Sequence, residues 1–269
     1  MVVVVPLNKV FKQGVNYRTH PRTAYLIEKI GTDGASATRL KVDGKDLGAL
    51  ISDVAPLRKT NSYIVGPLDI SRLPYVIPPE TDFSVDGPSG AKVRVIGKVY
   101  LLAPGEPTPE SLLARFREQP NKHIRYVEGS VSLGTDVAWA DGDEITLTTI
   151  TPLTIEKFKF NDLVMVKIEN ATINDGDVVI QFYLDNNPLE NLYGTNISPG
   201  IDVLAMPHRD DVGTNEIAFT LKDFPIEVIG DHTLKVTAKN VSGSAISPPS
   251  GASITLTLYM VAEYEKGGR

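Results

Sequence analysis

The chain writes one pattern twice. "PSGAKVRVIGKVYLL" occupies Pro88–Leu102, and "PSGASITLTLYMVAEYE" occupies Pro249–Glu265. Each begins with Pro and Gly placed as a β-turn favours them. Each then alternates. Val93, Val95, Val99 and Leu101 share one face at period two, and so do Ile254, Leu256, Leu258, Met260 and Tyr264. Such alternation predicts a strand with one face in a core.

Working outward from these two stretches, nearly everything else reads as strand. "EITLTTI" (144–150), "LVMVKIE" (163–169), "DVVIQFYL" (177–184) and "HTLKVTA" (232–238) are candidates. Between them lie turn signals: "DGDE" at Asp141, "NDGD" at Asn174, "DNNP" at Asp185 and "SPPSG" at Ser247. The exception is "TPESLLARFREQP", Thr108–Pro120. Thr108 suits an N-cap, Pro109 the first helical position, and Glu110 the positive end of the helix dipole. Leu112, Leu113 and Phe116 give a short helix one apolar face.

Three pairs of blocks recur in the same order. Val42–Leu50 ("VDGKDLGAL") matches Leu184–Leu192 ("LDNNPLENL") at an offset of 142. Leu68–Pro74 ("LDISRLP") matches Phe219–Pro225 ("FTLKDFP") at 151, an offset that also aligns Phe83 and Val85 with Leu234 and Val236. The Pro-Ser-Gly-Ala blocks follow at 161. Offsets that rise steadily are those of a second copy with longer loops. The expectation is two tandem antiparallel β-barrels or jelly rolls with a short inter-domain helix: a first barrel over 1–103, a linker with the helix over 104–121, and a second barrel over 122–269. No helices alternate with the strands, which argues against a parallel α/β sheet.

Composition bounds what such barrels do. The chain has 269 residues, a formal charge of −6 and no cysteine, so neither disulfides nor thiol chemistry enter. No stretch reaches the roughly 18 apolar residues of a membrane span. "MVVVV" is too short for a secretion signal, so none is expected, and the sequons at Asn170, Asn196 and Asn240 then read as unmodified. Residues 1–27 hold Lys9, Lys12, Arg18 and Arg22 and no acid. They read either as a solvated terminal arm or as a basic arm meeting an anionic surface.

Two tandem barrels, the interposed helix, the Asp-led turns with trailing leucines, and the last strand ending "LYMVAEYE" resemble the double jelly-roll major capsid proteins of tailless icosahedral viruses with an internal membrane, the smaller bacteriophage members above all. The resemblance implies a homotrimer: three chains with two barrels each give a pseudo-sixfold capsomer for a hexagonal lattice. It further implies a place in the virion, assembly in the host cytoplasm, and partners limited to other copies, other capsid proteins and an anionic internal membrane that Lys9, Lys12, Arg18 and Arg22 would face. It implies no enzyme activity, no cofactor and no sequence-specific nucleic-acid binding. The alternative is a two-domain β-sandwich that binds a receptor or carbohydrate, as in a phage fibre or adhesin; a two-jelly-roll hydrolase is a third reading.

Catalytic constellations are weak. His20, His123, His208 and His232 lack metal or triad spacing in sequence. His208 beside Asp210 and Asp211 reads as an exposed loop before a metal site. The acidic turns at 141–144 and 174–177 do not fit the EF-hand template and read as hairpin turns. Neither a phosphate-cradling glycine loop nor a nucleophile elbow appears. Trp139 reads as core or interface.

Overall fold

The computed structural model describes residues 2–32, 38–50, 67–174, 176–189, 201–202, 208–211, 214–222 and 225–267. Two compact units divide the chain. Unit 1 comprises Met1–Thr60, Ile64–Tyr126 and Glu263–Lys266; unit 2 comprises Asn61–Tyr63, Val127–Ala262 and Gly267–Arg269.

Unit 1 contains β1 (Val3–Lys12), β2 (Asn16–Arg18), β3 (Thr23–Thr32), β4 (Thr38–Val42), β5 (Lys45–Leu50), β6 (Leu68–Asp69), β7 (Tyr75–Ile77), β8 (Asp82–Asp86) and β9 (Lys92–Leu101). With β7 set aside, the outermost strands pair first and the innermost last. β1 lies antiparallel to β9, β2 to β8, β3 to β6 and β4 to β5. That is one long hairpin. It rolls up where β9 also pairs with β3 and β8 with β4. Two sheets result, β1-β9-β3-β6 and β2-β8-β4-β5. Their inner faces bury Leu7, Phe11, Ile27, Val93 and Val95 against Leu40, Val42, Phe83 and Val85. Phe11 and Phe83 meet edge to face, centroids 4.9 Å apart.

Unit 2 repeats the circuit. Its strands, whose first and last also extend into unit 1, are β10 (Lys122–Ser132), β11 (Glu144–Ile150), β12 (Glu156–Phe160), β13 (Leu163–Glu169), β14 (Val178–Leu184), β15 (Asn187–Pro188), β16 (Ile201–Asp202), β17 (His208–Asp211), β18 (Thr214–Thr220), β19 (Ile226–Ile229), β20 (Leu234–Asn240) and β21 (Thr255–Lys266). The nested pairs are β10 with β21, β11 with β20, β13 with β18 and β14 with β15. The rolling contacts are β21 with β13 and β20 with β14. A rolled hairpin of two such sheets is a jelly roll, and the chain holds two. The additions in unit 2 are β12 and β19, which extend the β21 sheet, and β16 and β17.

The repeated blocks fall at equivalent places. Val42–Leu50 and Leu184–Leu192 each start at the last residue of a strand, β4 or β14, and run through the turn into β5 or β15; residues 190–192 lie outside the described residues. Both hairpins turn on two left-handed residues, Asp43 and Gly44 in one, Asp185 and Asn186 in the other. That is the turn whose twist suits a two-residue hairpin. In the Pro-Ser-Gly-Ala blocks the Ala91 N–H donates to the Pro88 carbonyl and the Ala252 N–H to the Pro249 carbonyl, both at 3.0 Å. Gly90 and Gly251 sit at φ of 81° and 78°, where a side chain is strained. Pro74 precedes β7 as Pro225 precedes β19, but β7 pairs with β3 whereas β19 pairs with β12. Phe224 lies outside the described residues.

Two local expectations are corrected. The helix α1 spans Glu110–Glu118, and its N-cap is Pro109, not Thr108. Pro109 has ψ of 130°, so helical geometry begins one residue later, and no side chain caps it. Leu101 has the parity of Val93, Val95 and Val99 but is exposed, because β9 ends there; Leu102 is buried instead. Val93, Val95, Val99, Leu256, Leu258 and Met260 are buried as the alternation predicts.

Candidate functional site

The four basic residues of the N-terminal segment do not form one patch. Residues 3–12 are not a free arm: β1 pairs with β9 over ten consecutive registers. Lys9 and Lys12 are three apart in a strand, so they take opposite faces. Lys9 has the parity of Leu7 and Phe11, and its Nζ donates to Tyr25 Oη at 3.1 Å. Lys12 lies on the outer face. Arg18 ends β2, in the other sheet, 3.6 Å from Asp82. Arg22 sits in the turn before β3, where its backbone N–H donates to His20 Nδ1.

The outer face of the β1-β9-β3 sheet carries more charge than the sequence suggested. Register puts Lys12 opposite Lys92, Val10 opposite Arg94, Pro6 opposite Lys98, and Lys29 of β3 opposite Ile96. Glu28 is the extra residue of a β-bulge between Ile27 and Lys29, and its carboxylate accepts from Lys98 Nζ at 2.7 Å. The bulge needs Gly97: a Cβ there would stand 2.0 Å from the Leu26 carbonyl oxygen. At one end of this face Leu112 and Phe116 of α1 pack on Ala24, Leu26 and Tyr100. The basic part is left exposed, with Val10 at 42% exposure.

A buried polar cluster that the sequence did not disclose holds α1 in place. Gln119 acts as a strand's edge for β7: its Oε1 accepts the Val76 N–H at 2.9 Å and its Nε2 donates to the Val76 carbonyl at 3.0 Å. Arg115 Nε donates to the Pro74 carbonyl at 2.9 Å and its Nη1 to that of Lys122 at 2.8 Å. His123 Nδ1 donates to the Gln119 carbonyl at 2.9 Å, so a proton sits on that nitrogen. Burial, with lesser effects from Arg125 and Arg115, lowers its pKa to about 4. Partners 43 residues apart leave no local signal.

The other sequence candidates are structural. Trp139 is buried, and its Nε1 donates to the Asp143 carbonyl at 3.0 Å. Asn240 is buried with its amide donating to Trp139 and Ser244 carbonyls, so that sequon is inaccessible. Asn174 and Asp177 close a turn on each other, the backbone N–H of Asn174 donating to the carboxylate. His232 pairs with Asp185 at 2.6 Å, tying the β14–β15 turn to β20. His208, Asp210 and Asp211 lie on β17, their side chains outside what is described. Among the described residues no three acids or histidines gather as a metal site would require, and no helix is long and apolar enough to cross a membrane.

Architecturally, then, this is a double jelly roll. No family model matches the sequence, and no curated protein does. Solved structures are similar over nearly the whole chain at low identity. The major capsid protein P2 of bacteriophage PM2 is 10% identical, with 100% of this chain and 99% of that one covered and a TM-score of 0.42. A chain of Sulfolobus Turreted Icosahedral Virus is 11% identical, with 97% and 90% covered and a TM-score of 0.40. A chain of the Sputnik virophage is 6% identical, with 100% and 89% covered and a TM-score of 0.37.

Proposed function

We propose that this chain is the major capsid protein of a tailless icosahedral virus with an internal membrane, assembling as homotrimers into the shell. One observation carries the reading: a single chain contains the same rolled hairpin twice, in the same order of strands. Three such chains place six similar barrels around a threefold axis. That arrangement meets six neighbours in a hexagonal lattice from one gene product.

The reading takes 1–103 as the first barrel, 104–121 as the linker and 122–269 as the second. It locates the protein in the virion after assembly in the host cytoplasm, with other capsid proteins as further partners. It also offers Lys9, Lys12, Arg18 and Arg22, spread over two sheets and not gathered in one patch, as the residues that meet anionic lipid; the support is a run of 27 residues without an acid. Each base near such a surface gains about 1 kcal/mol. Changing the four to Ser is expected to leave the fold intact and weaken binding to phosphatidylserine vesicles at low salt; unchanged binding would remove lipid from the reading. Light scattering on the purified chain tests the main reading. A mass of three chains supports it, and a monomer at every concentration refutes it.

A further inference from the structure

Unit 1 takes residues 122–126 from the start of β10 and Glu263–Lys266 from the end of β21. One histidine is buried where they meet. His123 and Arg125 are two apart in a strand, so they share a face of β10. The ring of Tyr264, on β21, lies against both: its centroid is 5.2 Å from that of His123, and the Arg125 guanidinium stands 4.5 Å over it. His123 and Tyr264 are both buried. Arg115 of α1, fixed by its bonds to the Pro74 and Lys122 carbonyls, is a second cation close to the histidine. The carboxylates of this neighbourhood pair with other bases. Glu118 of α1 lies 3.5 Å from Arg115 and 4.0 Å from Lys122, Glu265 of β21 lies 4.0 Å from Lys122, and Glu263 lies 3.2 Å from Arg72 in the turn before β7. Tyr75 of β7 donates its hydroxyl to the Ile124 carbonyl, and burial keeps that hydroxyl un-ionised. The histidine already gives its Nδ1–H to the Gln119 carbonyl, so an added proton goes to Nε2 and makes the ring a cation.

We propose that His123 is an acid-operated latch, which on taking up a proton releases Glu263–Lys266 from the start of β10. A charged ring in this place is cut off from water and meets two guanidiniums; the Gln119 carbonyl and the face of Tyr264 offset only part of that. Burial is the larger effect and Arg125 and Arg115 the lesser, and together they lower the ring's pKa to about 4. The strain is relieved at least cost by moving the strand end that covers the ring, because strand ends open before cores do. Tyr264 lies two residues before β21 stops at Lys266. The ion pairs of Glu263 and Glu265 are partly exposed, and such pairs contribute little. Beyond them the Gly267 N–H donates to the Ile155 carbonyl at 2.7 Å, so the released segment is a short arc and not a free tail. Once Tyr264 has moved away, the ring reaches water and regains its ordinary basicity. The open form then binds the proton where the closed form does not, so acid favours the open form. The latch lies within a single chain and does not rest on the trimer reading.

Hydrogen exchange on the full chain tests this. The Lys266 N–H, which donates to the Asn121 carbonyl at 2.8 Å, reports the opening directly. Corrected for the intrinsic rate, its protection is expected to fall roughly 20-fold between about pH 7 and 5, the linkage of one proton between values of 6.5 and about 4. Amides of β3 and β9 are expected to remain better protected throughout. In His123→Gln the ratio of Lys266 protection at the two pH values is expected to be close to one, whatever the stability of that variant. In the native chain the His123 ring, followed by nuclear magnetic resonance, is expected to titrate below the ordinary histidine value. Equal Lys266 protection at both pH values, or a fall of the same size in His123→Gln, overturns the inference. So does Lys266 protection equal to that of β9, which would mean that the strand end opens only with the whole unit. A ring that titrates at the ordinary histidine value overturns it as well.

Discussion

His123 shows how a single residue couples this fold to pH. It is buried beside Tyr264, neutral, with Arg125 and Arg115 nearby. Its folded pKa of about 4 lies below the unfolded value near 6.5. Between those values the unfolded chain binds the proton and the folded chain does not, so stability falls as pH drops from about 6.5 to 4. The full shift corresponds to about 3 kcal/mol. A His123→Gln variant is expected to flatten the pH dependence of unit 1 unfolding in that window, measured by denaturant melts; an undiminished slope would assign the effect to other groups. Leu256 is the matching test in unit 2. It is fully buried on β21, so Leu256→Ala should cost about 2–5 kcal/mol. A loss below about 0.5 kcal/mol would mean that its face is not core.

At the scale of elements, α1 and the final strands of each unit decide the architecture. Gln119 lends β7 the hydrogen bonds a neighbouring strand would give. Gln119→Ala leaves a buried N–H and carbonyl without that partner, at a cost of roughly 2–4 kcal/mol. Hydrogen exchange should then report loss of protection at Val76 before the rest of its sheet, and unchanged protection would refute the clamp. Gly90→Ala and Gly251→Ala are expected to cost about 1–2 kcal/mol each, because both turns need a left-handed residue. Similar losses at both sites would follow from equivalent turns, whereas a neutral change at one would break the equivalence. These turns and the strands after them were legible in sequence, since Pro, Gly and period two act locally. That Lys9 and Lys12 take opposite faces was not legible for a related reason: an odd spacing separates faces only once the segment is known to be strand. The Gln119 clamp and the insertion of β12 and β19 were not legible, because the first joins residues 43 apart and the second depends on which strand takes which neighbour.

At the scale of the whole molecule, the two nested hairpins make a statement about number. Each circuit alone would be a complete jelly roll. Joined in one chain, they would double the number of barrels in the trimer proposed above. The most direct test is single-particle cryo-electron microscopy of the purified oligomer. Six separate barrels around a threefold axis, in a particle of hexagonal outline, are the predicted result. Single chains, or an elongated particle with barrels strung along a fibre axis, would contradict it.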